Sequence, residues 1–436
     1  MSLASRKAAA RVLQEVYANR STVDDALETH QTQLPPEQRP WVRSACFETL
    51  RYLPSIRASW QQHVKKKPTD PLALAILDLG TVQIQHLKTP PWAAVNETVT
   101  LTRALKKPHL SGLVNSVLRK IAKNPLLPTH LHNEETRWNH PKWWIKKLQQ
   151  QWPKHWQAIL QANNHKAPFW LRHNRQVPAA LPALQKACPE ARQHPHIASA
   201  WCIDPRPVAS IPGFEAGHFS VQDAHAQRAA PLLDPHNGER ILDACAAPGG
   251  KAGHLWEQAP QAEITAIDVQ AHRLSRVGEN LRRLQANING TPVEVRALNM
   301  AKPNQWPPDW GAGAVFDRIL LDVPCSASGV VRRHPDIKYL RQAGDIAAIT
   351  RQQKDILEAS TRLLKPGGHL LYATCSVFDE ENGQQVAHFL SRHPEFEAET
   401  LSLPGGVSRQ HGVQLLPEIH GGDGFYYALL KKRGHG

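Results

Sequence analysis

Three side chains in the C-terminal half of this 436-residue chain have the types and spacing for covalent chemistry. In Phe316-Asp-Arg-Ile-Leu-Leu-Asp-Val-Pro-Cys an apolar run ends at Asp322 with Cys325 just beyond it, and in Tyr372-Ala-Thr-Cys-Ser a second run ends at Cys375. Pro324 fixes the backbone between Asp322 and Cys325 and so limits how each can point. A lone cysteine at such a place is most often a small buried apolar residue. Two cysteines, each at a strand end and one beside an acid, argue for a reactive site, because open α/β sheets bind their ligands at the carboxyl ends of the strands.

A second constellation reads as the floor of a nucleotide-type cofactor site. Ile241-Leu-Asp-Ala-Cys-Ala-Ala-Pro-Gly-Gly-Lys joins an apolar strand to a helix start through residues with almost no side chain, from Cys245, Ala246, Ala247 and Pro248 to Gly249, Gly250 and Lys251. The glycines let the backbone turn and approach a ligand closely. Asp268 follows Gly249 by 19 residues and closes the run Ile264-Thr-Ala-Ile-Asp, the place from which ribose hydroxyls are gripped in doubly wound sheets. The loop is not G-x-G-x-x-G, which disfavours a dinucleotide whose pyrophosphate must rest on the helix N-terminus. S-adenosylmethionine, which has no phosphate, fits better.

These residues need a sheet to hold them, and from Gly238 onward the sequence supplies one. Strands are expected at Ile241 to Cys245, Ile264 to Asp268, Val293 to Leu298, Phe316 to Asp322, His369 to Cys375 and Tyr426 to Leu430, separated mostly by helix-length segments. That alternation predicts a doubly wound, Rossmann-like α/β domain over 231–436. The first segment differs. Ala9, Val12, Leu13, Val16 and Tyr17 recur at helical spacing, with Arg6, Lys7, Arg11 and Glu15 on the rest of the cylinder. Similar periodicity through Trp41 to His63, Pro71 to Leu87, Ala93 to Leu105 and Leu113 to Ile121, broken at Pro35-Pro36 and Pro90-Pro91, predicts an all-α bundle over 1–140. Between them, 141–230 is rich in Trp, His, Pro and Arg and reads as a linking subdomain. Interleaved aromatic and basic side chains can stack bases and hold phosphates. Trp143, Trp144 and Trp170 read individually as core.

Composition narrows the partner. Lys and Arg number 52 against 38 Asp and Glu, giving a net charge of +14 with 24 histidines besides, a field suited to a polyanion such as nucleic acid. The six cysteines, at 46, 188, 202, 245, 325 and 375, form no C-x-x-C pair, so neither a zinc site nor a disulfide framework is suggested. The chain reads as reduced, cytoplasmic and monomeric, without metal. No apolar run approaches the roughly 18 residues of a membrane span.

Two sets of motifs carry a resemblance. Ala93-Ala-Val-Asn-Glu-Thr-Val and Gly112-Leu-Val-Asn-Ser-Val-Leu-Arg resemble the NusB family of small helical RNA-binding domains, with Asn96 and Asn115 read as local backbone hydrogen-bonders. Asp322-Val-Pro-Cys-Ser-Ala-Ser-Gly-Val-Val-Arg-Arg-His-Pro-Asp-Ile-Lys, Thr374-Cys375-Ser376, Phe219-Ser-Val-Gln-Asp-Ala-His-Ala-Gln and Asp423-Gly-Phe-Tyr-Tyr-Ala resemble the RNA cytosine-5 methyltransferases. With the NusB-like segment in front, the whole chain is similar to the bacterial 16S ribosomal RNA branch of that family. The resemblance implies methyl transfer from S-adenosyl-L-methionine to C5 of a cytosine in 16S ribosomal RNA, at cytosine 967. It implies Cys375 as the nucleophile that adds to C6, Asp322 on the cytosine's N3 edge, and Cys325 as the group that helps remove the C5 proton. For the cofactor it implies Cys245 to Lys251 on the methionine and ribose side, Asp268 on the ribose hydroxyls and Asp322 at the base of the same pocket. Asn299, in Ala297-Leu-Asn-Met, stands where relatives usually carry an acid; an amide oxygen can still accept from the adenine amino group. A nicotinamide enzyme would show G-x-G-x-x-G, and a non-catalytic ribosome-assembly factor would have no use for the cysteine pair.

Overall fold

The computed structural model describes residues 2–19, 21–124, 133–286, 290–310 and 313–434. It divides into two compact units, one formed by Met1–His165 with Val331–Ala343 and the other by Lys166–Val330 with Gly344–Gly436.

The first unit is helical. Its elements are α1 (Leu3–Asn19), α2 (Val23–Gln31), α3 (Arg39–Arg51), α4 (Leu53–Gln61), α5 (Pro71–Gln85), α6 (Pro91–Ala104), α7 (Ser111–Lys123), α8 (Glu134–Trp138), α9 (Lys142–Gln151) and α10 (Trp156–Asn163). The apolar stripe of α1 is buried as its spacing requires, with Ala9, Val12 and Leu13 inaccessible. Arg6 departs from expectation: its side chain is buried and donates to Gln83 on α5. The helix expected from Trp41 to His63 is two, because Pro54 lies in the first turn of α4 and the chain breaks at Tyr52. Asp78, fully buried on α5, gathers this unit by accepting hydrogen bonds from Tyr17 (2.9 Å), Arg57 (3.2 Å) and Trp60 (2.7 Å). Asn96 is exposed, and Asn115 accepts from the Arg119 guanidinium (3.1 Å) rather than from backbone. Their expected local role gives way to solvent and to a side chain one turn on.

The second unit holds two sheets. Strands β1 (Phe169–His173), β2 (Arg192–His194), β3 (Ile197–Ile203) and β4 (Phe219–Val221) form an antiparallel sheet in the order β2-β3-β1-β4, flanked by α11 (Ala180–Ala187). Trp170 on β1 is buried, as expected of a core residue; so is Trp144, on α9 of the helical unit, where Trp143 is half-buried.

The larger sheet contains β5 (Arg240–Asp243), β6 (Glu263–Asp268), β7 (Glu294–Ala297), β8 (Phe316–Asp322), β9 (Leu364–Thr374), β10 (Phe396–Ala398), β11 (Gly406–Arg409), β12 (Gly412–Leu415) and β13 (Phe425–Lys432). Among the described residues its order is β11-β12-β13-β9-β8-β5-β6-β7, with β10 against β13. The core from β9 to β7 is parallel and β13 joins β9 antiparallel. Around it lie α12 (Ala229–Leu233), α13 (Gly250–Gln258), α14 (Ala271–Arg283), α16 (Asp345–Ser360) and α17 (Gly383–Arg392), while α15 (Ile337–Leu340) belongs to the helical unit. The chain runs outward through β5, β6 and β7 and returns on the other side of β5 as β8. That reversal opens a crevice at the carboxyl ends of β5 and β8.

Candidate active site

The crevice is a cavity of about 420 Å³, lined among others by Cys245, Ala247, Asp268, Asn299, Asp322, Cys325 and Cys375. Its volume is in the range of small-molecule sites. Ala246, Pro248, Gly249 and Gly250 shape the turn leading into α13. Gly249 has φ +98° and packs so closely on α14 that a Cβ would lie 2.9 Å from the Val277 Cα, so this position admits only glycine without strain. The turn is pinned by Ala246 N–H on the Ile267 carbonyl (2.8 Å) and by Asn280 Nδ2 on the Pro248 carbonyl (2.9 Å).

Asp268 ends β6 and orders two loops at once. One carboxylate oxygen accepts from Ala247 N–H (3.2 Å) and the other from Gln270 N–H (2.9 Å). Each oxygen keeps further acceptor capacity toward the cavity, the property needed to bind vicinal hydroxyls. The Asn299 side-chain oxygen already accepts from Ala301 N–H (3.0 Å). A carboxylate, an amide and a turn without bulk thus line one cavity, a set of groups that fits S-adenosyl-L-methionine.

Lys251 crosses from the start of α13 to Asp322, Nζ to Oδ2 at 2.6 Å. Burial, the largest single effect, works against its charge, but Asp322, Cys375 and Asp243 together outweigh it and the net pKa is raised. Lys251 is thus a cation held beside Cys375. The sulfurs of Cys325 and Cys375 lie 3.3 Å apart, both as free cysteines. The hydrogen bond with Cys375, followed by burial, pushes the Cys325 thiol well above its ordinary value. Burial and then the Asp243, Asp322 and Asp268 carboxylates do the same to Cys245, which suits a wall residue and not a nucleophile.

Other site residues escaped the sequence reading. Asp243, at the end of β5, is fully buried and neither carboxylate oxygen has a hydrogen-bond partner; the Cys245 amide lies near without completing one. Burial, then Asp322, pushes its pKa up to about 7. An acid closing an otherwise apolar strand was the available signal. Arg172 on β1 is also buried, donating to Glu257 (2.9 and 2.7 Å), to the Gly250 carbonyl (2.7 Å) and to Gln222, and so ties the small sheet to the cofactor turn. The Phe219 and Asp423 motifs meet here: Asp223 accepts from the Asp423 N–H (3.0 Å), and Gly424 N–H donates to the Gly329 carbonyl (2.8 Å).

The family model for 16S rRNA methyltransferase RsmB/F matches residues 230–431, which carry every element of this cavity. The chain belongs to the RsmB/F family. A NusB family model matches residues 3–123, and a ferredoxin-like domain of RsmF/B-like methyltransferases matches 140–209. Ribosomal RNA small subunit methyltransferase B of Pasteurella multocida (strain Pm70) is 42% identical, covering 99% of this chain and 96% of its own. The protein of the same name from Klebsiella pneumoniae subsp. pneumoniae is 41% identical over 98% of both chains. The crystal structure of PH0851 superimposes with a TM-score of 0.80 at 23% identity over 99% of each chain, a likeness of fold. The RsmB/F assignment makes this chain a ribosomal RNA methyltransferase. Among the described residues no group of three or more His, Cys, Asp or Glu is placed to hold a metal, and no helix is long and apolar enough to cross a membrane.

Proposed function

We propose that this methyltransferase modifies C5 of one cytosine of 16S ribosomal RNA, cytosine 967 by family resemblance, through a covalent Cys375 adduct. The methyl donor is S-adenosyl-L-methionine, which supplies an electrophilic methyl group. The observation that carries the reading is the pair of sulfurs 3.3 Å apart at the wall of the cavity, beside the Lys251–Asp322 ion pair.

Cytosine C5 is a poor nucleophile, so the ring must first be made enamine-like. The Cys375 thiolate adds to C6, breaking the C5=C6 π bond and placing the electron pair at C5. Lys251 supports the thiolate by charge, and Asp322, held by Lys251 through one oxygen, turns its carboxyl toward the N3 edge. After C5 is methylated, Cys325 as a thiolate takes the C5 proton. The C–H pair re-forms C5=C6 and the C6–S pair returns to Cys375. Asp268, Asn299 and the turn from Cys245 to Lys251 hold the donor. The target base must leave its stack to reach this pocket. The helical unit, with the basic linking segment, supplies the RNA-docking surface of a monomer working in the cytoplasm.

Bisulfite mapping of ribosomal and transfer RNA from cells lacking the gene, with and without the restored protein, tests the reading. The expected result is one 16S cytosine that loses C5 methylation and regains it on restoration. A lost mark elsewhere reassigns the substrate, and unchanged methylation overturns the activity in favour of an assembly role.

A further inference from the structure

Immediately after each of the two cysteines stands a serine, and both serines turn to one buried carboxylate. Glu381, between β9 and α17, is fully buried. Its Oε1 accepts from the hydroxyls of Ser326 (2.5 Å) and Ser376 (2.6 Å), and its Oε2 from the Ser326 N–H (2.7 Å) and the Gln353 amide (3.3 Å). In each of these hydrogen bonds the partner is the donor, the pattern of an ionised carboxylate. Burial pushes its pKa up, and the serine and glutamine donors pull against that. A carboxylate so placed is costly to bury unless its lone pairs are used. Here they are used to join two loops that sequence keeps 50 residues apart.

The loops do not depend on Glu381 equally. Cys375 follows β9, whose last residue Thr374 pairs with Tyr426 on β13, and the adjoining Ser376 carbonyl accepts from Asn382 (2.9 Å) and Gln414 (3.0 Å). Cys325 sits in irregular chain beyond β8. Ser326 beside it is held by Glu381 through both backbone and side chain. The Pro324 carbonyl before it accepts from Gln353 (2.9 Å), which Glu381 also engages.

We propose that Glu381 is a positioning residue that holds Cys325 against Cys375, and thereby sets the rate at which the RNA adduct is released. The inference rests on the thiol roles given under the proposed function. Cys375 can attack C6 from its own anchorage. Proton removal from C5 needs Cys325 at its place across the substrate; Glu381 acts there through the neighbouring Ser326, while Ser328 and Gly329 tie the same loop farther along to Val377 (2.9 Å) and to the Cys375 carbonyl (2.8 Å).

Two measurements on the full-length protein test this. In the first, the thiol oxidant diamide removes two hydrogens from Cys325 and Cys375, forming the disulfide and a hydrazine, and peptide mass analysis follows its rate. Glu381→Ala should form that disulfide roughly tenfold more slowly than the parent, whereas Glu381→Gln, which keeps an acceptor for the Ser326 N–H and lets the hydroxyls reverse, should stay within about twofold. In the second, denaturing gels follow the RNA adduct beside methyl incorporation. Glu381→Ala should accumulate adduct while turnover falls on the order of 10–100-fold, the effect of displacing a reacting group by about 1 Å, with KM for S-adenosylmethionine unchanged. Glu381→Gln should restore release. Ser326→Ala, which removes one hydroxyl donor and leaves the carboxylate its other donors, should shift both readouts the same way by less, and serves if the alanine variant does not fold. Unchanged oxidation and release in the folded variants overturn the proposal, as does an equal fall in adduct formation and turnover. Slowed oxidation together with a parent enzyme that makes no adduct would keep the positioning role and remove the cytosine-C5 chemistry instead.

Discussion

Cys375→Ala is expected to abolish both methylation and the denaturation-resistant RNA adduct, whereas Cys325→Ala should form the adduct and release it slowly. Gel analysis of the two variants with substrate RNA decides this, and the reverse pattern would exchange their roles. At the cofactor, Asp268→Ala should weaken S-adenosylmethionine by about 1.5–3 kcal/mol, the value of hydrogen bonds to a charged group, as read by calorimetric titration. Asn299→Asp should bind at least as well as the parent. Asp243 leads to a pH prediction. Its folded pKa, about 7, lies above that of an unfolded aspartate, so the folded state holds the proton longer and stability falls as pH rises between the two values. Asp243→Asn should therefore unfold at a higher temperature than the parent at pH 8, and the difference should shrink toward pH 4. A pH-independent difference would remove the buried acid as its cause. The two cysteines, Asp268 and the glycine turn were legible because each sits where a short apolar run stops. Arg172 and Glu381 were not, since what they do depends on residues brought in from elsewhere in the chain, whereas Asp243 carries the same strand-end signal and only its complete burial is hidden in the sequence.

The six expected strands of the larger sheet all exist, with ends shifted by a few residues; the largest shift is in β9, which begins at Leu364 instead of His369 and takes in Lys365 to Gly368, where its register with β8 shifts. Parallel strands buried on both faces are continuous apolar runs, and such runs are readable. Strands β1 to β4 were missed because Phe-Trp-Leu-Arg-His and its partners mix apolar, basic and aromatic residues. Arg172, which looks like a solvent-facing position there, is in fact buried on Glu257. Strands β10 to β12 are elements of three or four residues, too short to show a pattern of their own. Among the turns, Gly329 carries a demanding requirement: a Cβ there would lie 2.3 Å from the Gly424 carbonyl oxygen, backbone against backbone. Gly329→Ala should cost about 1–3 kcal/mol of stability, the usual range for overpacking, and should lower activity more than cofactor affinity, because Cys325 and Cys375 flank that close approach. Thermal unfolding beside calorimetry checks both halves.

Across the whole chain the helical and α/β regions were foreseen, but the assignment of 331–343 was not. Nothing in Val-Arg-Arg-His-Pro-Asp-Ile-Lys-Tyr-Leu marks it as part of a bundle that begins some 300 residues earlier. Yet Lys338 is fully buried there, donating to the carbonyls of Arg51 (2.6 Å) and Asn139 (2.8 Å), and the Asp336 carboxylate accepts from Val23 N–H (3.0 Å) at the start of α2. A fragment of residues 230–436 would carry this segment without those partners. In that fragment trypsin should cut quickly after Arg332 and Lys338, which are 1% and 0% exposed in the full chain, where the same bonds should resist. The fragment should also bind RNA with a shallower salt dependence, the slope falling by roughly 0.7–0.9 for each phosphate that the fragment no longer neutralises. Equal cleavage in both would detach the segment from the helical unit, and equal slopes would remove that unit from RNA docking.

The same excursion bears on how the protein is made. On the ribosome the first 165 residues emerge as a bundle that still lacks the segment shielding the Asn139 and Arg51 carbonyls and the N-terminus of α2. At about 5–20 residues per second that segment arrives some tens of seconds at most after His165. Until then the nascent helical unit has buried-to-be polar groups open to water and an unfilled place in its core, a site for chaperone attention that closes only when the loop carrying Cys325 has been synthesised.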